Sequence, residues 1–74
     1  MDKPQPTKGQ ARVLAFVRKY RDKHGYPPTV REICDGLKVR SPNGITRHVN
    51  ELVRKGYLSH KRNVARSFVV LDDS

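Results

Sequence analysis

Apolar residues along this chain fall into three helical stripes and then change period. In the first stripe Val13, Phe16, Val17 and Tyr20 recur at spacings of 3, 1 and 3, which places them on one face of a helix. Arg12, Ala15, Lys19, Asp22 and Lys23 take the other side. Thr7 stands three residues before Gln10, the spacing of a capping box. There the threonine hydroxyl accepts the glutamine N–H, and the glutamine side chain reaches back to the threonine N–H. Gly25 supplies a left-handed stop, so the predicted helix runs over 7–24. The next segment, Gly25-Tyr26-Pro27-Pro28-Thr29, is a connector, because two prolines exclude helix and hold the chain extended. Thr29 and Glu32 repeat the capping box. Ile33, Cys34 and Leu37 mark the apolar face of a short helix over 30–38.

Val39-Arg40 is a tight connection. Ser41-Pro42 then has the order of an N-cap followed by proline at the first helical position. Ile45, Val49, Leu52 and Val53 form the third stripe. Arg54 and Lys55 suit the negative end of the helix dipole, and Gly56 follows as the cap. This predicts a helix over 42–55. From Tyr57 the period falls to two: Leu58 and His60 alternate with Ser59 and Lys61, and residues 66–71 are rich in β-branched and aromatic side chains. The expectation is a β-hairpin with a basic tip carrying Lys61, Arg62 and Arg66. The predicted fold class is mainly α with a small β-hairpin (α+β), a three-helix winged helix-turn-helix. A flexible arm (1–6) precedes the domain (7–71), and a short tail (72–74) follows it.

Charge sharpens this picture. Sixteen Lys+Arg against seven Asp+Glu give a net +9 in 74 residues. Asp2, Asp72 and Asp73 lie at the ends, so residues 3–71 hold sixteen cations and four acids, or +12. An excess of this size repels itself in a compact state and points to an anionic partner. No apolar run approaches the roughly 18 residues of a membrane span, and no signal-peptide core follows Met1. One cysteine cannot make an internal disulfide, which fits a reducing, cytoplasmic compartment. His24, His48 and His60 lack metal-ligand spacing. Neither a nucleophile–base arrangement nor a glycine-rich phosphate loop occurs. Neither an enzyme nor a cofactor is expected.

The third helix carries the chemistry. Asn43, Thr46, Arg47, Asn50 and Arg54 are spaced 3, 1, 3 and 4, a polar, cationic stripe opposite Ile45, Val49 and Leu52. Glu51, the one acid of this helix, is expected to point elsewhere. Arginine pairs with guanine O6 and N7, asparagine with adenine, and threonine with a base edge or thymine methyl. Gly44 lets the backbone come close. The helix N-terminus near Ser41 offers N–H groups to a phosphate. Arg31, Arg40, Arg54 and Lys55, with Lys61, Arg62 and Arg66 of the wing, are the expected phosphate contacts. His48 lies at the edge of the stripe. A buried, inert thiol is expected at Cys34, and core or core-edge positions at Tyr20, Tyr26 and Phe68.

Gly25-Tyr26-Pro27-Pro28 before Thr29-Val30-Arg31-Glu32-Ile33, then Arg40-Ser41-Pro42-Asn43 and Arg54-Lys55-Gly56, resemble the LexA repressor DNA-binding domain over nearly the whole chain. The resemblance implies a winged helix-turn-helix that binds palindromic double-stranded operators as a homodimer and represses transcription in a bacterium or a bacterial virus. It places Ser41, Asn43, Gly44, Thr46 and Arg47 where the family reads bases. Thr46-Arg47 departs from the two adjacent acids of the best-known members, so a different operator is expected. The family's C-terminal half, with its dimer contacts and Ser/Lys self-cleavage machinery, has no counterpart in these residues. An excised domain or a small stand-alone regulator is the expectation. Two other readings of the residues stay open: an architectural or recombination-accessory DNA binder of a phage or mobile element, and a protein-interaction winged helix that binds no DNA, with whose charge an acidic partner would be compatible.

Overall fold

The computed structural model describes residues 5–60 and 68–71. Its elements are α1 (Lys8–His24), α2 (Val30–Leu37), α3 (Pro42–Lys55), β1 (Leu58–Ser59) and β2 (Val69–Val70). Both predicted capping boxes form. Thr7 Oγ1 accepts the Gln10 N–H at 3.3 Å while Gln10 Oε1 accepts the Thr7 N–H at 3.1 Å. Thr29 and Glu32 exchange the same pair of bonds at 3.2 and 2.8 Å. Each box satisfies N–H groups that a helix start otherwise leaves open.

The stops follow two different patterns. Gly25 (φ 83°) and Gly56 (φ 91°) end α1 and α3 in the left-handed region, where glycine has no Cβ penalty. Helix α2 ends one residue earlier than the expected 38, because Lys38 itself adopts φ 58°. Its N–H donates to Asp35 O, and the Val39 N–H donates to Cys34 O at 2.9 Å. These bonds turn the chain sharply into Ser41, and they hold a lysine in a conformation that costs a non-glycine residue roughly 1 kcal/mol.

The helices enclose one core. Val13, Leu14 and Val17 of α1 meet Ile33 and Cys34 of α2 and Ile45, Val49 and Leu52 of α3. Tyr57, Leu58, Phe68 and Val70 close the open end. Helix α1 packs on both other helices, so its buried arc is wider than the predicted stripe: Leu14 and Gln10 are buried as well. Phe16 lies against Gly36 of α2, where a β-carbon would overlap its ring. Val53, expected in the apolar stripe of α3, is instead 37% exposed at the margin of the buried face. Tyr26, expected at the core edge, is 44% exposed. The strands pair antiparallel, Leu58 opposite Val70 and Ser59 opposite Val69. Leu58 and Val70 point inward, while Ser59 and Val69 point to solvent.

Candidate nucleic-acid interface

Helix α3 is positioned by its apolar face. Ile45, Val49 and Leu52 are at most 2% exposed, which fixes the rotation of the helix about its own axis. That rotation presents Asn43, Thr46, Arg47, Asn50 and Arg54 outward, and all five are exposed. The sequence stripe is therefore a continuous surface. Ser41 stands at the N-cap position, but its hydroxyl makes no capping bond. Unlike α1 and α2, this helix begins without a side-chain capping bond, which leaves its first N–H groups a favourable place for an anion. Gly44 lies in that turn, and a β-carbon added there would meet no atom within 4 Å. Nothing among the described residues requires a glycine at this position.

Arg31 of α2 and Arg40 of the turn are exposed and line one groove together with Val30, Cys34, Asp35 and Pro42. The turn thus brings both guanidinium groups beside the start of α3. Cys34 lies at this groove as a buried free thiol.

The opposite end of α3 differs from the sequence reading. Glu51 does not point away: its carboxylate accepts from Arg54 Nη2 at 2.6 Å and from Arg54 Nε at 3.3 Å. Residues three apart share a helix face, so the two side chains meet. The Arg54 hydrogen bond, above the other influences, holds the Glu51 carboxyl below the usual carboxylate range and raises the arginine. Glu51 is therefore ionised at neutral pH, and it offsets one cation of the stripe.

Lys55 is tied into the fold. Its Nζ donates to Gln10 Oε1 at 2.6 Å and to the Gln5 carbonyl at 3.1 Å. Two of the three ammonium donors are committed, and one remains for an outside acceptor. His48 turns toward α1: a β-carbon on Gly9 would come within 2.9 Å of its ring. Its Nδ1 is buried without a hydrogen-bond partner among the described residues. His48 thus sets the approach of α1 to α3. The signals for these contacts were faint ones: the Glu51–Arg54 spacing, and a glycine in the first turn of α1.

At the base of the wing, the His60 ring lies tilted against Phe68 with centroids 4.6 Å apart. Lys61, Arg62 and Arg66 lie outside the described residues. Among the described residues no group of three His, Cys, Asp or Glu side chains is placed to hold a metal ion. No described helix is long and apolar enough to cross a membrane.

Comparison with known proteins agrees with this geometry. The family profile described as the LexA DNA binding domain matches residues 4–67. The LexA repressor of Limosilactobacillus fermentum is 42% identical over 64 residues, which is 86% of this chain and 31% of that protein. The LexA repressor of Anaeromyxobacter dehalogenans is 44% identical over 63 residues, 85% of this chain and 28% of its own length. That of Caldicellulosiruptor saccharolyticus is 37% identical over 71 residues, 96% of this chain and 35% of its length. The chain thus spans about a third of the length of these curated relatives.

Proposed function

Because this chain belongs to the LexA DNA-binding domain family, we propose that it binds double-stranded DNA with sequence preference and acts as a LexA-like transcriptional repressor. Helix α3 enters the major groove. Arg47, Asn43, Thr46 and Asn50 meet base edges, and Gly44 admits the backbone. Ser41 lies where the helix N-terminus meets a phosphate or a flanking base. Arg31 and Arg40 hold the backbone on one side of α3, and Arg54 and Lys55 on the other. Lys61, Arg62 and Arg66 extend that grip through the wing. Contacts to phosphate position the protein without carrying sequence information, while base contacts specify it.

Repression follows from occupying the site and excluding the transcription machinery. Two copies on an inverted repeat would join two modest interfaces into one selective complex, with half-sites about one helical turn apart or a multiple of it. The site of action is the nucleoid of a bacterial cytoplasm. The observation that carries the reading is the exposed trio Asn43, Thr46 and Arg47 beside Gly44, a glycine with open space where its side chain would stand.

Selection from a random duplex pool at about 0.15 M salt, where non-specific attraction is screened, tests it. The expected product is an enriched inverted repeat. An enriched single half-site would remove the dimer from the proposal. Tight binding at low salt without any enrichment would leave only architectural DNA binding and overturn the repressor reading.

A further inference from the structure

A second surface lies on α1, away from α3. Phe16, Tyr20 and His24 are spaced by four residues and their rings meet in tilted contacts along the helix, with centroids 6.0 and 4.1 Å apart. Tyr26 folds back from the connector onto this column, 6.0 Å from Tyr20 and 5.8 Å from His24. The rings of Phe16, Tyr20 and His24 border two shallow grooves that meet at Phe16 and Lys19, with Tyr26 behind them. One continues to Tyr20, Lys23 and His24, and the other to Arg12, Ala15 and Leu37 of α2. Among the described residues, no acid and no α3 residue lines either groove. The one acid on this stretch of α1, Asp22, is bonded to Arg21 at 3.0 Å.

The geometry points to a docking surface for an acidic amphipathic helix of a partner protein. Apolar side chains of that helix would seat along Phe16, Tyr20 and Leu37. Its carboxylates would meet Arg12, Lys19 and Lys23. This is the helix-in-groove mode, with apolar anchors three and four residues apart. Charge decides the occupant. A second copy of this chain would bring like charge to three cations, and like-charge contact is strongly unfavourable. A nucleic-acid strand would satisfy the lysines but not the rings, which meet one another at tilted and edge-on angles rather than presenting open faces singly to bases. Because α3 takes no part in the grooves, the partner and DNA would bind together.

The test is a titration of the labelled 74-residue chain, followed by amide NMR shifts. The probe is a peptide of about 12 residues, with leucines on one helical face and glutamates on the other. A control of equal charge replaces the leucines by serine. The expected result is saturable shifts centred on Phe16, Lys19, Tyr20, Lys23, His24 and Leu37, at least about tenfold weaker with the serine control. Lys19→Gln with Lys23→Gln should weaken the probe about tenfold. His24→Ala with Tyr26→Ala should do so without a change in formal charge, both side chains being exposed enough to remove without unfolding. The shifts should persist with a DNA duplex bound. Equal binding of the two peptides, shifts centred on α3 that duplex displaces, or no saturation by about 1 mM would overturn the proposal.

Discussion

Replacing Gly44 by alanine separates what the fold needs from what DNA needs. Glycine inside a helix is destabilising by about 0.5–1 kcal/mol relative to alanine, since it loses more backbone freedom on folding. Gly44 has no left-handed dihedral, and its added β-carbon would touch nothing within 4 Å. Neither strain nor overlap therefore opposes the propensity gain, and Gly44→Ala should stabilise the isolated protein by roughly that amount. For a domain of this size, that raises the melting temperature by about 2–8 °C. Binding should move the other way. A methyl group between the first turn of α3 and a groove wall would push the helix outward and lengthen several contacts at once. A loss of about 1–3 kcal/mol, or roughly 5- to 150-fold, is the scale of one disrupted base contact. Circular-dichroism melts and titration of the selected duplex read the two effects on one preparation. A variant that melts higher and binds as before would refute the close approach. One that melts lower would mean that the first turn of α3 has an internal requirement for glycine.

Other substitutions test other parts. Arg47→Ala should cost about 1–3 kcal/mol on the best site and relax preference at one base pair, read by repeating the selection. An equal loss on every sequence would make Arg47 a phosphate clamp. Glu51→Gln should free Arg54 and tighten binding severalfold on all sequences, steepening the salt slope by about 0.9. Acidification should reproduce this gain: Glu51 titrates below the usual carboxylate range, so its hold on Arg54 is intact at neutral pH and fades as pH falls through that lowered value. Weaker binding after Glu51→Gln would mean instead that the pair orients Arg54 toward DNA. Gly36→Ala forces a β-carbon into the Phe16 ring and should destabilise by about 1–3 kcal/mol in a urea melt, the usual cost of overpacking. An unchanged midpoint would show that the ring moves aside freely.

Much of the fold was legible because its signals are local. Thr7-Gln10, Thr29-Glu32 and Ser41-Pro42 mark starts, Gly25 and Gly56 mark stops, and α3 spans 42–55 as its apolar spacing predicts. The stop at Lys38 was not legible, because a lysine carries no preference for φ 58°. Chain direction there is set by the bond from Val39 to Cys34 and by the packing of α2 on α3. The outward face of α3 was legible for the same reason as its core. The partners at its edges were not. Lys55 meets Gln10 across 45 positions, and His48 turns toward Gly9 only because α1 crosses α3 at that point. Such contacts belong to the assembled molecule, and no stretch of sequence encodes them alone.

Gln10 has a consequence for how the chain folds. Its single Oε1 accepts both the Thr7 N–H that starts α1 and the ammonium of Lys55 that ends α3. A helix start is normally a local event, available as soon as the first turn forms. Here the same acceptor also registers whether the far end of α3 has arrived. An α1 that forms early holds an acceptor with spare capacity, and docking of α3 fills it. Fraying at either end loosens the other. The initiation of the first helix and the termination of the third thus share one acceptor, a coupling that favours a single all-or-none transition over a populated helical intermediate.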